Sequence, residues 1–262
     1  ADYRTRWTYD PLGWVDYTTT ALLGVGWYLV EYQTEAASSP RWTGGILFDD
    51  AVRDAVVGGS RETRNRAAAI SDIFALAPQV MLWLDIGVVL ATDRLNIKTA
   101  WYMTVINLQG AALVGMLSRA GPRFVARQRP DVEPCRLDRE YNETCGGGSN
   151  SGFPSGHASA AFMGAGLVCA HHLHLPIYGH PAADRAACGL ALAMATTNAV
   201  SRMVADRHYV SDVIAGVGIG LAGGFLLPLL AHYRPPISDE AQLAIVPVSG
   251  GGTQGLAVVG IF

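Results

Sequence analysis

Three short patterns between residues 129 and 212 combine arginine, serine and histidine side chains of the kinds that act on phosphate groups. They are Arg129-Pro130, the PSGH of residues 154–157, and a third pattern that runs through Ser201, Arg202, His208 and Asp212. Each pattern alone is common in unrelated proteins. Their order along the chain, and their positions at the borders of apolar blocks, indicate that they form one site.

Four residues of these patterns are expected to bind phosphate oxygens. Arg129 and Arg202 carry planar guanidinium groups, which suit paired hydrogen bonds to phosphate better than the ammonium group of lysine does. Ser155 and Gly156 are expected to begin a helix, where free backbone N–H groups and the helix dipole bind anions. The absence of a side chain on glycine also lets the backbone approach an anion closely.

Two histidines and an aspartate supply the expected catalytic groups. His208 and Asp212 are four residues apart, so on a helix they share a face. The carboxylate can then hold one ring nitrogen and leave the other free as a nucleophile. His157 is placed to protonate the leaving oxygen. The set predicts phosphoryl transfer with no metal and no other cofactor.

With these motifs the chain resembles the type 2 phosphatidic acid phosphatase superfamily, which also contains vanadium-dependent haloperoxidases and bacterial acid phosphatases. The family signature is K-x6-RP, PSGH and SR-x5-H-x3-D, and the second and third motifs match completely here. The resemblance spans about residues 70–231. It implies a six-helix core and the roles assigned above, with His208 forming a phosphohistidine that Asp212 orients and His157 acting as the general acid.

The first motif departs from the signature. Pro122 stands seven positions before Arg129, where the family has its lysine. Arg123 follows Pro122 directly, and its longer side chain is expected to reach the phosphate; Arg127 is a second candidate. The departure puts one phosphate contact in doubt, whereas the nucleophile and the acid are intact.

The elements that must position these residues are long apolar blocks. Residues 99–118 and 213–231 each contain about 20 residues without a formal charge, which is enough for a helix to cross a bilayer. Further blocks lie at residues 73–92, 158–175, 186–201 and, more weakly because it contains Glu31, 17–34. We therefore expect an all-α membrane helical bundle of about six spans, in which the first is uncertain. The helix after the second pattern and the helix that returns would bring all three patterns to one end.

Composition limits the class of protein. The chain has 262 residues, of which 50% are hydrophobic and 16% charged. A formal net charge of −3 argues against a nucleic-acid partner, since such proteins are usually basic. A soluble all-α enzyme with unusually buried helices is the alternative, but two clean spans are hard to explain without lipid. The expected partners are membrane lipids and a lipid phosphate substrate.

Three segments are expected along the chain. Residues 1–69 would contain an interfacial segment, the weak first span and a short amphipathic helix at 44–57. Residues 70–233 would form the catalytic bundle, in which glycines at four-residue spacing suit close helix packing; they are Gly216, Gly220 and Gly224. Residues 234–262 would form a tail of two short apolar strands around a Gly-rich turn, available to pack on the bundle or to bind a protein partner.

The cysteines bear on the orientation of the site. Cys135 and Cys145 lie in the polar loop 119–157 and are expected to form a disulfide, whereas Cys169 and Cys188 are expected in the core. A disulfide agrees with a site on the periplasmic side of a bacterial-type cell membrane. The arginines on the same face indicate the opposite orientation by the positive-inside rule. We give them less weight, because several are proposed phosphate ligands.

Three functions compete. The favoured one is an integral membrane phosphatase that hydrolyses a lipid phosphate or pyrophosphate monoester through a phosphohistidine, with vanadate acting as a phosphate-mimicking inhibitor. The second is a vanadium-dependent haloperoxidase, in which the same pocket holds vanadate as cofactor. The apolar spans of this chain count against that function. The third is a non-catalytic subunit of a membrane complex with a relic site, which the missing lysine and the unusual tail suggest.

Overall fold

The computed structural model describes residues 7–92, 96–145 and 150–234, and the backbone of 242–250 and 253–261. Its helices are α1 (Trp14–Tyr32), α2 (Asp49–Val56), α3 (Arg61–Thr92), α4 (Ile97–Ala120), α5 (Val132–Leu137), α6 (Gly156–His174), α7 (Pro181–Val204), α8 (Val210–Leu221) and α9 (Leu227–Ala231). Two π-helical turns, Gly121–Val125 and Ala222–Leu226, continue α4 and join α8 to α9. The two strands are β1 (Gln242–Gly250) and β2 (Thr253–Ile261).

The long helices of the described residues form an all-α bundle around α6. Helices α3, α4, α7 and α8 all pack against α6, and α1 packs on the outside of α4. Within the part of the chain that the structure describes, three helical stretches are long and apolar enough to cross a membrane, namely Arg61–Thr92, Ile97–Val125 and Val210–Ala231. Lipid-facing side chains explain why these stretches stay apolar on the outside of the bundle as well as inside it. The predicted membrane helical bundle is confirmed.

A stripe of glycines on α8 and the π-helical turn after it lets these elements lie directly on α6, as the sequence predicts. A methyl group at Gly216 would stand 2.6 Å from the carbonyl oxygen of Ser155, and one at Gly220 would stand 2.5 Å from that of Ser159. Gly224 meets the backbone of Met163 in the same way. Because any larger residue would push the two helices apart, the stripe sets the distance between the elements that carry the second and third patterns.

The N-terminal helices are in contact with the bundle. Helix α3 begins at Arg61 and runs through the expected boundary at residue 70, and α1, the weak first span, packs against α4. The predicted amphipathic helix is α2, and its first residue, Asp49, is buried. The side chain of Asp49 faces the neighbourhood of the third pattern, which gives α2 a part in the site.

Both cysteine pairs are disulfides. Cys135–Cys145 closes a loop of the polar segment and confirms the expectation for that pair. Cys169 and Cys188, expected in the core, are bonded to each other across α6 and α7. Cys169 is buried as expected. The bond was not foreseen, because only the packing of α6 on α7 brings these two cysteines together.

Polar side chains are buried at the end of the bundle away from the three patterns. His172, on α6, bonds to Asp184 on α7 at 2.7 Å and lies 3.2 Å from Asp85 on α3. The neighbouring His171 pairs with Asn107 on α4 at 2.8 Å. These contacts join four helices through buried polar groups, although Nε2 of His172 has no hydrogen-bond partner among the described residues.

The chain ends in a β-hairpin, in the segment where the sequence predicts strands. Strands β1 and β2 pair antiparallel, with Gln242 opposite Ile261 and Gly250 opposite Thr253. The glycines of the predicted turn, residues 251–252, lie outside the described residues, as does the run 146–149 of the polar loop. A protein partner for this tail stays a prediction.

Candidate active site

One cavity of about 430 Å³ brings residues of the first, second and third patterns together. Four of the residues predicted for the site line it: Arg129, Gly156, His157 and His208. The remaining walls come from α1, α3, α4 and α6 and are mainly apolar, including Trp27, Leu76, Val114 and Met163. The cavity therefore has a polar end, with two imidazoles and a guanidinium group, and mainly apolar walls of the kind that contact hydrocarbon chains.

Close backbone contacts hold the three patterns at this end of the bundle. Gly121, where α4 passes into its π-helical turn, lies so close to the backbone of Phe153 that any side chain at 121 would collide with it. The N–H of Ser155 donates to the carbonyl oxygen of Asp212 at 3.0 Å. The first contact ties the segment before Arg129 to the PSGH turn, and the second ties that turn to the third pattern.

His208 is held as a neutral imidazole. It lies before α8, and its Nδ1 donates to the carbonyl oxygen of Gly152 at 2.7 Å. Burial, together with the positive charges of Arg202 and Arg129, lowers the pKa of His208 well below its ordinary value. With the proton fixed on Nδ1, the lone pair on Nε2 is available to attack an electrophile.

Asp212 does not hold the imidazole directly, which corrects the expected geometry. Its Oδ2 lies 3.9 Å from Nδ1 of His208 and accepts instead from the backbone N–H of Tyr209 at 2.9 Å. The physical reason is that α8 begins only at Val210, so His208 and Asp212 do not share a helix face. Asp212 caps α8, the helix that follows His208, and fixes the chain there.

A fully buried arginine and a second carboxylate support Asp212 from behind. Arg127 donates from Nη1 to Asp212 at 2.6 Å and from Nη2 to Asp49 at 2.7 Å. Asp49 also accepts the N–H of Ser211 at 2.9 Å, and the hydrogen bonds from Arg127 and Ser211 outweigh burial and lower the pKa of Asp49. Arg127 is thus occupied by carboxylates and lies outside the cavity. The sequence contains no motif that identifies Asp49.

The predicted phosphate ligands surround the same end of the cavity. Arg129 is largely buried, and its Nε has no hydrogen-bond partner within the described chain. Burial lowers the pKa of Arg129, and the charge of Asp131 only partly offsets this. A buried cation of this kind is most stable when an anion binds to it. A methyl group at Gly156 would contact no described residue, so this backbone is open to a ligand.

Ser155 and Arg202 lie just behind the cavity wall. Ser155 is the N-cap of α6, and its Oγ accepts from the N–H of Ala158 at 3.4 Å. Arg202, on α7, donates to Ser71 at 3.1 Å and lies 3.6 Å from Asp72, while its Nε has no partner among the described residues. Both residues adjoin the site as predicted, although neither lines the cavity as it stands.

Asp72 is a site neighbour that the sequence does not reveal. Its carboxylate lies 2.9 Å from Nε2 of His157, the expected acid, and also faces Arg202. Asp72 stands one residue before the apolar block 73–92. From the sequence alone, a charged residue at this position indicates only the end of a membrane span. Its place beside His157 is decided by the packing of α3 on α6 and α7.

Arg123 is not brought to the cavity, contrary to the sequence-based expectation. Its guanidinium donates to the carbonyl oxygens of Thr34 at 3.0 Å, Glu31 at 2.6 Å and Arg119 at 2.9 Å. The π-helical turn after α4 directs this side chain towards the end of α1. The two arginines considered as replacements for the missing lysine, Arg123 and Arg127, are thus both bound elsewhere.

A disulfide-closed loop packs behind Arg129. Within it, Asn142 donates to Asp131 at 3.0 Å, and Arg207 lies 3.3 Å from the same carboxylate. Burial raises the pKa of Asp131.

The described residues hold no group of three or more His, Cys, Asp or Glu side chains arranged to bind a metal ion.

A family model, a sequence relative and a solved structure are similar to parts of this chain. The model of the PAP2 superfamily matches residues 98–236, more than half of the chain. The lipid A 1-phosphatase of Porphyromonas gingivalis is 34% identical over 124 residues, which cover 47% of this chain and 23%, or about a quarter, of that relative's length. The crystal structure of a transmembrane PAP2 type phosphatidylglycerolphosphate phosphatase from Bacillus subtilis is similar over 82% of this chain and 94% of that one, with 19% identity and a TM-score of 0.49.

Proposed function

This chain belongs to the PAP2 superfamily, and we propose that it is an integral membrane phosphatase that hydrolyses a lipid phosphate or pyrophosphate monoester. The observation that carries the proposal is the cavity in which the neutral His208, the expected acid His157 and the buried Arg129 meet. A phosphate group would supply an acceptor for Nε of Arg129, which has no partner among the described residues. The apolar remainder of the lining supplies a place for the lipid.

The proposed reaction has two steps. Nε2 of His208 attacks the phosphorus atom, the bond from phosphorus to the lipid oxygen breaks, and His157 gives that oxygen a proton. Water then attacks the phosphohistidine, His157 takes a proton back, and inorganic phosphate leaves. Arg129, with Arg202 and the backbone of Gly156, stabilises the negative charge on the transferring group. No step requires a metal ion or another cofactor, and vanadate is expected to inhibit as a phosphate mimic.

The substrate class follows from the cavity walls and from the position of the site. Trp27, Leu76 and Val114 come from α1, α3 and α4, which surround the cavity within the bundle. A lipid phosphate can place its headgroup at the arginine and its hydrocarbon between these helices. The relative from Porphyromonas gingivalis is named for a lipid A phosphate, which supports a phosphorylated membrane lipid as the substrate here.

We place the site on the periplasmic side of a bacterial-type membrane that the chain crosses several times. The disulfide Cys135–Cys145 lies at the site end of the bundle, and disulfides persist in oxidising compartments. A phosphatase on that side would act on lipids of the outer leaflet.

The decisive experiment is a phosphate-release panel on the purified protein in detergent. Phosphatidate, phosphatidylglycerol phosphate, undecaprenyl pyrophosphate, lipid A and a water-soluble phosphate monoester are compared in the presence of a metal chelator. Wild type is expected to release phosphate from at least one lipid, and His208→Gln is expected to lose the activity. His180→Asn is the matched control, because His180 is exposed at the start of α7.

Other outcomes identify the competing functions. Bromide oxidation that requires added vanadate would replace the proposal with a haloperoxidase. Inactivity of wild type in both assays would leave a non-catalytic membrane subunit. Activity retained by His208→Gln would overturn the phosphohistidine mechanism.

A further inference from the structure

The cavity contains one arginine that belongs to none of the three patterns. Arg119, on the last turn of α4, lines it together with Arg129 and both histidines. Its side chain is 58% exposed, and its ion pair with Glu31 is long, with 3.6 Å between Nε and Oε2. This distance exceeds a hydrogen bond, so the guanidinium keeps its donors.

The other arginines nearby are committed to the protein. Arg123 donates to three carbonyl oxygens and also pairs with Glu31 at 3.2 Å. Arg127 is fully buried between two carboxylates. Since Glu31 is shared between Arg119 and Arg123 and lies closer to Arg123, the carboxylate holds Arg119 only weakly.

A neighbouring hydroxyl group supports a ligand at this place. Ser118 precedes Arg119 and lines the same cavity. Its Oγ is buried and has no hydrogen-bond partner among the described residues. A buried hydroxyl without a partner costs free energy, and an oxygen atom of a ligand would supply the missing acceptor.

From these observations we infer that Arg119 is a phosphate-binding residue. It lies ten residues before Arg129 and supplies a second cation that binds the reacting phosphate group. The inference rests on the proposed function. Pro122 occupies the position of the family lysine and has no charge to offer. Arg119 binds a non-bridging phosphate oxygen from the α4 side of the cavity, while Arg129 binds from the loop side, and Ser118 donates a further hydrogen bond.

The test compares inhibition by orthovanadate, which carries no lipid portion. We expect Arg119→Ala to weaken vanadate inhibition by about ten-fold or more, because a hydrogen bond to a charged group is lost. Arg119→Lys should recover part of it. Arg136→Ala is the matched control: Arg136 is also exposed and paired with a glutamate, at 2.8 Å, and its vanadate inhibition should equal that of wild type.

A second variant separates phosphate binding from a structural role. Glu31→Gln removes the negative charge that competes for Arg119, so phosphate binding predicts stronger vanadate inhibition. A role limited to joining α1 and α4 predicts no gain. Unchanged vanadate inhibition in Arg119→Ala would overturn the inference. This holds even if the variant lost its activity on lipids, because Arg119 would then contact a part of the lipid other than the phosphate. Wild type without phosphatase activity would instead refute the proposed function, and vanadate binding would then be followed by 51V NMR.

Discussion

At the scale of single residues, the hydrogen bond from Nδ1 of His208 to Gly152 determines which ring nitrogen carries the proton. The carbonyl group of Gly152 is itself positioned, because the N–H of Gly152 donates to the carbonyl oxygen of Arg127 at 2.8 Å. Arg127 in turn binds Asp212, so one chain of contacts connects the backbone before α6 with the helix after His208. The orientation of the imidazole therefore depends on a glycine that no sequence motif marks.

Gly152→Ala is expected to lower kcat for phosphate release by about 10²-fold, as small misplacements of a catalytic group do. A methyl group at this position would stand 2.9 Å from the carbonyl oxygen of Arg127 and 3.1 Å from that of Gln128. The backbone would have to move and would take the acceptor of His208 with it. The measurement is steady-state hydrolysis of the best lipid from the panel.

The matched control for this change is Gly189→Ala, since a methyl group at Gly189 on α7 would meet no described residue. Thermal unfolding of both variants separates a misplaced imidazole from a loss of fold. A folded Gly152→Ala protein with the kcat of wild type would show that the Gly152 carbonyl does not orient His208.

At the scale of elements, the interface between α6 and α8 sets the geometry of the site. The second pattern begins α6, and Asp212 lies in the first turn of α8. Backbone contact between the two helices continues along the glycine stripe, so a shift of α8 would move Asp212 relative to Ser155. The packing of α8 on α6 therefore also sets the positions of Ser155 and Asp212 relative to each other.

Gly220→Ala is expected to reduce the free energy of unfolding by about 1–3 kcal/mol, the usual cost of overpacking. A methyl group there would stand 2.5 Å from the backbone oxygen of Ser159, which cannot rotate away as a flexible side chain could. Gly218→Ala, on the same helix, is the control, because no described residue lies within 4 Å of the added carbon. Thermal unfolding in detergent should show a lower Tm for the first variant alone; equal Tm values would contradict the close packing.

At the scale of the whole molecule, charge distinguishes the two ends of the bundle. The chain is acidic overall, with a net charge of −3, yet arginines gather at the end that holds the cavity. The Cys135–Cys145 loop lies at that end, and the buried pair His172–Asp184 lies at the other. In the proposed orientation, the arginine-rich end that holds the cavity faces the periplasm and the opposite end faces the cytoplasm.

Labelling of single cysteines with a membrane-impermeant thiol reagent tests the orientation in intact cells. Glu62→Cys lies at the start of α3, at the site end, and Lys98→Cys lies at the start of α4, at the opposite end. The four native cysteines are in disulfides and would not react. We expect labelling of Glu62→Cys in intact cells and of Lys98→Cys only after lysis; the reverse pattern would place the site in the cytoplasm.

The sequence by itself determined the bundle and indicated which motif residues share the cavity. Apolar blocks of spanning length predict helices without their tertiary contacts, because in lipid a chain must satisfy its backbone hydrogen bonds within each helix. The motif residues Arg129, His157 and His208 were identifiable because their chemistry and order along the chain are a local property of the sequence. The glycine stripe was identifiable for the same reason, since its four-residue spacing follows the helical repeat.

Only the tertiary structure decided the partners of these residues. Asp72 and Asp49 reach the site from helices that lie far from its motifs in the sequence, and their types fit many surface positions equally well. Helix α8 starts at Val210, after its N-cap residue Tyr209, so His208 lies outside the helix that contains Asp212. The diversion of Arg123 towards α1 likewise results from packing. Periodicity and spacing describe neighbours along the chain, whereas hydrogen bonds between distant segments depend on how the helices pack.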